Sequence, residues 1–193
     1  MTHGRLPYEP ASYTQLSEIG QKMNFTMPSD RYIGSLLMTL VASKSKSRVL
    51  ELGTGIGLAS SWIIDGLDEQ STLITLDNDP ALVAVAKKYL ADDPRVEILC
   101  TDGTLWLTSY QGDKFELIFA DTWPGKYSEL EDALNLVSIG GFYVIDDMMP
   151  QDNWPSGHDL IATELRESLE TREDFHTTFL EWSTGVVIAT KIR

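Results

Sequence analysis

The sequence predicts an α/β fold in which strands and helices alternate along the chain and a β-hairpin follows. Three observations predict it. The strand-like run 49–52 passes into a turn with glycine at positions 53, 55 and 57, and a helical pattern begins directly after that turn. Apolar strand-like runs and helical patterns then alternate as far as residue 171. The last two predicted strands are separated by only a Trp-Ser-Thr-Gly turn, so they must be antiparallel.

Each element follows from a local pattern of apolar residues and from turn residues at its ends. Asp79-Pro80, for example, is an N-cap followed by proline at the first helical position. The predicted helices cover 12–22, 32–42, 58–67, 80–90, 103–107, 127–137 and 156–171, and the predicted strands cover 49–52, 71–77, 95–100, 115–120, 142–145, 175–181 and 186–192.

A length of 193 residues corresponds to one domain. We expect residues 1–45 to form a cap of helix and loop, and residues 46–193 to form a Rossmann-like core. Residues 24–30 lack periodicity and read as a loop in that cap.

The glycine turn predicts a binding site for a nucleoside. Glycine is needed where the backbone has a positive φ or where a ligand approaches it closely. Asp77 follows Gly57 by twenty residues and ends the second strand, where an acid suits the hydroxyls of a ribose.

The charges around this turn favour a cationic nucleoside over a dinucleotide. Glu51 lies directly before the turn, and the acidic run 77–79 flanks it. Carboxylates at this range repel a diphosphate, whereas they suit a ligand that carries an ammonium and a sulfonium. S-adenosylmethionine has that pattern, and a dehydrogenase that uses NAD is a more remote alternative.

Acids also follow four successive predicted strands, at Asp77, Asp102, Asp121 and the pair Asp146-Asp147. Ligands of open α/β sheets bind at that edge. Any one of these acids has an alternative role as a helix N-cap, above all Asp102. The adjacent pair requires a cation, a proton or hydrogen bonds to relieve its repulsion.

The charge and cysteine content of the chain limit the partners and the cellular compartment that we expect. The net charge is −14, and because residues 1–50 carry six basic and three acidic side chains, the rest of the chain carries −17. An acidic body disfavours nucleic acid as a partner. The single cysteine, Cys100, is compatible with a reducing cytoplasm, and with no membrane-length apolar run or signal-peptide pattern we expect a cytoplasmic protein without a membrane partner.

From Ile33 to its C-terminus the chain resembles the class I S-adenosylmethionine-dependent methyltransferases, specifically the catechol/caffeoyl-CoA type of O-methyltransferase. The resemblance implies a seven-stranded, mostly parallel sheet with helices on both faces and the last strand antiparallel. It rests on Leu-Glu-Leu-Gly-Thr-Gly-Ile-Gly at 50–57, Leu-Ile-Thr-Leu-Asp at 73–77, Asp121-Thr122-Trp123 with Tyr127, and Gly140-Gly141 followed by Asp146-Asp147.

The same resemblance implies roles for individual residues. The three glycines and Glu51 would lie by the methionine moiety, Asp77 by the ribose, Asp102 with Gly103 by the adenine, and Met27 over the sulfonium. The implied cofactor-binding residues are Met27, Glu51, Gly53, Thr54, Gly55, Gly57, Asp77, Asn78, Asp102, Gly103, Asp121 and Trp123. Asp121, Asp146 and Asp147 would bind a divalent cation such as Mg²⁺.

Two departures from the family pattern concern the chemistry. Asp147 stands where the family has asparagine, and Pro124 stands where it has its catalytic lysine. Lys126 lies two positions further on and could replace that lysine, or it could be a solvated side chain before a helix. We predict Asp121 and Lys126 as the catalytic residues, with Asp121 acting through a metal or as the base itself.

Several alternatives remain open at this stage. The favoured function is methyl transfer to a hydroxyl of a small molecule, and the others are an aminopropyl-type transferase and a non-catalytic module that binds S-adenosylmethionine. His158 is a candidate base or metal ligand, or a partly exposed structural histidine. Trp154 and Trp182 either line an acceptor pocket or cover the sheet edge. The chain could also form a homodimer.

Overall fold

The computed structural model describes residue 6, residues 8–151 and residues 154–193. The described helices are α1 (Ala11–Met23), α2 (Arg31–Ala42), α3 (Leu58–Gly66), α4 (Pro80–Leu90), α5 (Gly103–Ser109), α6 (Leu130–Asn135) and α7 (His158–Glu170). The described strands are β1 (Arg48–Leu52), β2 (Thr72–Asp77), β3 (Val96–Cys100), β4 (Phe115–Ala120), β5 (Val137–Ile145), β6 (Phe175–Leu180) and β7 (Val186–Lys191).

The strands form one seven-stranded sheet in the order β3-β2-β1-β4-β5-β7-β6. The neighbours from β3 to β5 pair in parallel, and β7 pairs antiparallel with both β5 and β6. The predicted Rossmann-like sheet and its C-terminal antiparallel hairpin are therefore confirmed.

Apolar layers cover both faces of the sheet, as predicted. One buried layer includes Leu16 of α1, Ile33 of α2 and Trp62 of α3. The other includes Leu107 of α5 and Leu165 of α7. Because α1 and α2 pack in the same layer as α3, the N-terminal segment is fixed over the core near the edge where β1 ends.

Two predicted boundaries around α6 are wrong. Helix α6 begins at Leu130, not at 127, because residues 123–128 form a tight loop. In that loop the backbone N–H groups of Lys126 and Tyr127 both donate to the carbonyl of Trp123, at 3.1 and 2.9 Å. Strand β5 begins at Val137 and not at 142, because Val137 pairs with Phe115 before a register shift in the two strands. Gly140, with φ +77°, lies in that irregular segment.

In the described ranges, no helix is both long and apolar enough to span a membrane.

Candidate functional site

A cavity of about 620 Å³ opens at the carboxyl edge of the sheet, where β1, β2, β4 and β5 end. Its walls come from the loop 24–30, the glycine turn, the residues after β2, β4 and β5, the start of α7 and the turn before β7. The cavity therefore brings together residues that are far apart in sequence. Of the predicted site residues, those that line it are Met27, Gly53, Thr54, Gly55, Asp77, Asn78, Asp121, Trp123, Asp146 and Asp147.

The glycine turn has the backbone that its sequence predicts. Gly53, Gly55 and Gly57 have φ values of +104°, +51° and +94°. A Cβ on Gly53 would lie 2.8 Å from the carbonyl oxygen of Asp121, and one on Gly57 would lie 2.6 Å from Leu90 of α4. Contact with the backbone thus requires glycine at 53, whereas at 57 the positive φ favours glycine and the Leu90 side chain could move. Gly57 does not line the cavity; it is the N-cap of α3.

Glu51 lies beneath this turn, completely buried, and does not line the cavity. Its Oε2 accepts hydrogen bonds from the hydroxyls of Ser60 and, at 2.6 Å, Thr75, and Thr75 also hydrogen-bonds Thr54 in the turn. Oε1 has no hydrogen-bond partner among the described residues. Burial raises the pKa of Glu51 to about 7. The structure therefore places Glu51 as a support of the turn, with one unsatisfied oxygen.

Asp77 closes the turn from the neighbouring strand. One carboxylate oxygen accepts from the backbone N–H of Gly55 at 2.8 Å, and the other accepts from that of Asp79 at 2.9 Å. Asp79 caps α4 by accepting from the N–H of Ala81 at 2.8 Å. Asp77 and Asn78 both line the cavity beside the glycines, so the predicted ribose acid is at the expected edge.

Asp102 and Gly103 lie outside the cavity lining. Asp102 is the N-cap of α5 and accepts from the N–H of Leu105 at 3.0 Å, which is the alternative role that its position allowed. A Cβ on Gly103 would lie 3.0 Å from Pro124. A contact of these two residues with adenine stays a prediction.

Three carboxylates line the cavity where β4 and β5 end, and they form its acidic end. Asp121 follows β4, and Asp146 and Asp147 follow β5. Asp121 accepts from the hydroxyl of Ser29 at 3.2 Å. Asp146, which is 2% exposed, accepts from the hydroxyl of Thr184 and, at 2.7 Å, from the N–H of Asp147. Ser29 lies in an aperiodic loop and Thr184 in a hairpin turn, so no sequence pattern indicated either residue.

These carboxylates hold protons more tightly than free aspartates do. Burial, and next the charges of Asp146 and Asp147, raise the pKa of Asp121 well above its ordinary value. Burial raises the pKa of Asp146 to about 6, and burial also raises that of Asp147. The nearby charge of Lys126 opposes each of these shifts.

Lys126 is 6% exposed, so the expectation of a solvated lysine is wrong. The loop after β4 folds back and brings its ammonium under the end of β5. There Nζ donates to the backbone carbonyl of Asp146 at 2.7 Å and, less closely, to that of Asp147 at 3.4 Å. Burial lowers the pKa of Lys126, and the charges of the three aspartates oppose this.

An aromatic group borders the acidic end. His158 begins α7, and its Nε2 lies 3.2 Å from the hydroxyl of Tyr127. The ring of Trp154 lies 4.5 Å from that of His158, and Trp123, which is 52% exposed, lies 5.9 Å away. Trp154, Trp123 and His158 line the cavity, whereas Trp182 does not and packs on Tyr32 instead.

As they stand, the described side chains are not arranged around the Mg²⁺ ion that the family resemblance implies for Asp121, Asp146 and Asp147. In the described part of the chain, no group of three or more histidine, cysteine, aspartate or glutamate side chains is arranged to hold a metal ion. The positive charge found at this edge is instead the buried ammonium of Lys126 on the carbonyls of Asp146 and Asp147.

The sheet order and the glycine turn together define a Rossmann-like methyltransferase fold. The model of the O-methyltransferase family matches residues 8–191, and the chain belongs to that family.

The curated relatives are distant in sequence. A protein of Mycobacterium ulcerans, provisionally assigned as an O-methyltransferase, is 26% identical over 143 residues. That match covers 70% of this chain and 64% of the relative, so it spans less than two thirds of the relative's length.

Solved structures share the fold. The O-methyltransferase TomG of Streptomyces achromogenes, involved in tomaymycin synthesis and solved with S-adenosylmethionine, superimposes with a TM-score of 0.83 at 20% identity, covering 96% of this chain and 92% of TomG. An O-methyltransferase of Bacillus cereus, solved with S-adenosylhomocysteine, gives a TM-score of 0.81 at 19% identity, with 96% and 93% of the two chains covered.

Proposed function

We propose that this chain transfers the methyl group of S-adenosylmethionine to a hydroxyl of a small molecule. The observation that carries the proposal is that one cavity is lined both by the glycine turn with Asp77 and by three carboxylates with an aromatic border. A volume of about 620 Å³ lies within the usual range for ligand sites. Donor and acceptor would therefore share one enclosed space.

The donor half matches the charge of the cofactor. Asp77 lines the cavity and supplies a carboxylate for the ribose hydroxyls. Oε1 of Glu51, buried without a partner among the described residues, adds negative charge behind the turn. An ammonium at the turn would relieve that charge, whereas a diphosphate would increase the repulsion.

In the transfer, the bond between sulfur and the methyl carbon breaks as the bond between that carbon and the acceptor oxygen forms. The sulfonium becomes a neutral thioether, and the hydroxyl proton must leave. We assign that proton to the carboxylate of Asp121, since a raised pKa makes this carboxylate a stronger base than a free aspartate. Holding the two reactants in line can supply about 7–11 kcal/mol of the barrier.

The proposal includes a small-molecule partner and a cytoplasmic location. The charge of −17 beyond residue 50 supports an acceptor other than nucleic acid, and one cysteine suits a reducing compartment. Family membership favours methyl transfer over aminopropyl transfer. Association into a homodimer stays a prediction.

Calorimetry with S-adenosylmethionine tests the donor half. We expect binding to the wild-type protein, and Asp77→Asn should weaken it roughly tenfold to a hundredfold because a hydrogen bond to a charged group is lost. Asp92→Asn, at an exposed position away from the cavity, is the matched control. Binding of NAD without binding of S-adenosylmethionine would contradict the proposal.

A screen of phenols, catechols and aliphatic alcohols, read by mass spectrometry for a gain of one methyl group, tests the acceptor half. Binding of the cofactor without methylation of any hydroxyl would favour the non-catalytic module.

A further inference from the structure

We propose that the ammonium of Lys126 takes the place of a divalent cation at the acceptor end of the cavity, so that methyl transfer by this chain requires no metal ion. This inference rests on the proposed function for the reaction. The placement of Lys126 that carries it is a feature of the fold and can be tested separately.

The acidic end of the cavity needs a compensating positive charge. Three carboxylates, those of Asp121, Asp146 and Asp147, converge where β4 and β5 end, and each lies at the cavity. Buried like charges at one edge destabilise the fold and the bound substrate unless a positive charge or protons compensate them. Hydroxyl and amide hydrogen bonds from Ser29, Thr184 and the backbone satisfy oxygens but add no net charge.

The loop after β4 holds Lys126 in a buried position beneath this edge. Gly125, at φ +87°, turns the chain back, its N–H donates to the carbonyl of Ser128 at 2.7 Å, and the hydroxyl of Tyr143 donates to its carbonyl. The N–H of Lys126 donates to the carbonyl of Trp123 at 3.1 Å. The backbone of Lys126 is thus fixed on both sides, and its side chain reaches inward to β5.

The contacts of the Lys126 ammonium are with the main chain. It donates to the main-chain carbonyls of Asp146 and Asp147 and makes no ion pair within 4 Å with a described carboxylate. The carboxylates therefore stay available to the cavity while the charge lies behind them. A divalent ion coordinated by the same carboxylates would be repelled by this fixed ammonium.

The two departures from the family pattern, at Asp147 and near Pro124, change the charge at this edge in opposite directions. Asp147 adds a negative charge where the family has asparagine, and Lys126 adds a buried positive charge two residues after Pro124. The two changes offset one another at the same edge. A resident metal ion would leave the extra ammonium without a function.

Titration with Mn²⁺, followed by its electron paramagnetic resonance signal, tests the inference without any acceptor. The variants are Lys126→Met, the double variant Lys126→Met/Asp147→Ala, and Asp147→Ala alone, since alanine leaves no side-chain ligand. We expect the wild type to hold no Mn²⁺ at this edge. Lys126→Met should bind one Mn²⁺ per chain roughly tenfold or more tightly than the wild type, because the close positive charge is gone. The three carboxylates, which are not arranged around a metal ion among the described residues, are then free to turn toward one. The double variant should lose that binding.

The wild type and Asp147→Ala are enough to overturn the inference. If the wild type binds one Mn²⁺ and Asp147→Ala loses that ion, the inference is wrong, even if Lys126→Met does not fold. Mn²⁺ uptake that Asp147→Ala retains in full belongs to the acidic surface and agrees with the inference. A folded Lys126→Met that gains no Mn²⁺ also contradicts it.

A titration with S-adenosylmethionine in the presence of EDTA, and again with Mg²⁺, separates the two proposals. Equal affinity in both buffers, with methylation unaffected by the chelator, is expected. A reaction that EDTA stops and Mg²⁺ restores overturns the inference but leaves the proposed function intact. Absence of S-adenosylmethionine binding in both buffers counts against the proposed function, and Mn²⁺ titration still decides the role of Lys126.

Discussion

The ammonium of Lys126 lies 2.7 Å from the main-chain carbonyl oxygen of Asp146, in a part of the site where both residues are almost completely buried. This contact joins the loop after β4 to the end of β5. Among the described residues, the ammonium thus balances charge at this edge through main-chain carbonyls and without a side-chain ion pair of its own.

Lys126→Met should lower the free energy of unfolding by about 1.5–3 kcal/mol, the usual contribution of hydrogen bonds to a charged group. Urea unfolding at pH 7 measures it. Lys114→Met removes an exposed lysine and should change little. Equal losses in the two variants would show that the buried contacts of Lys126 contribute nothing to stability.

Glu51 should make stability fall as the pH rises. Its pKa is about 7 in the fold against 4.5 when exposed, so the contribution to stability is fully present below pH 4.5 and is lost as the pH rises through 7. Glu51→Gln keeps an acceptor for Ser60 and Thr75. Relative to the wild type, the free energy of unfolding of Glu51→Gln should be higher by on the order of 3 kcal/mol at pH 8 and unchanged at pH 4.

Urea unfolding across that pH range measures the Glu51 effect. Glu97→Gln, at an exposed position on β3, is the control and should follow the wild type throughout. A Glu51→Gln protein with the pH dependence of the wild type would show that the buried carboxyl is not the group that titrates.

Gly53→Ala and Gly140→Ala distinguish two ways in which a side chain at a glycine position lowers stability, backbone strain and steric contact. Both positions have a positive φ, which costs roughly 1–2 kcal/mol for alanine. A Cβ at Gly53 also meets the carbonyl of Asp121 at 2.8 Å, whereas nothing lies within 4 Å of one at Gly140. We expect Gly53→Ala to lose more stability and to weaken S-adenosylmethionine binding, as calorimetry would reveal. Equal losses of stability in the two variants would mean that the glycine turn can shift to accept a Cβ at position 53 without disturbing the residues after β4.

Asp121→Asn should reduce the methylation rate by about 10²–10⁴ while the cofactor still binds. The folded protein should also become more stable at pH 8 than the wild type, since a partly buried carboxylate with a raised pKa is removed. Rates with an acceptor from the screen and thermal unfolding check the two effects. Asp132→Asn on the exposed side of α6 is the control. A fully active Asp121→Asn protein removes Asp121 from the mechanism.

The sheet, the turn and the edge of the cavity could be predicted because each follows from a local pattern. Glycines at 53, 55 and 57 after an apolar strand fix the turn, and an acid that ends β2 marks the ligand edge. Charge and spacing also identified Asp121 and the pair at 146–147 as neighbours, because the carboxyl ends of parallel strands meet.

The features that could not be predicted depend on contacts between distant segments. Lys126 precedes a helix, and its sequence neighbours suggest a solvated side chain; burial follows only from the return of its loop beneath β5. Glu51 was expected at the cofactor, and its buried position under the turn depends on hydroxyls from α3 and β2. The early start of β5 at Val137 depends on pairing with Phe115, which no pattern within 137–145 indicates.

The wall of the cavity formed by residues 24–30 belongs to neither the sheet nor the glycine turn. It is fastened to the core by hydroxyl–carboxylate contacts, from Ser29 to Asp121 at 3.2 Å and from Ser183 to Asp30 at 2.8 Å. The backbone of the turn is set by β1, β2 and β4, so this segment reaches the cavity from a separate part of the chain. Under the proposed function, a chimera that exchanges residues 24–30 but keeps Met27, Ser29 and Asp30 should alter acceptor preference while S-adenosylmethionine still binds.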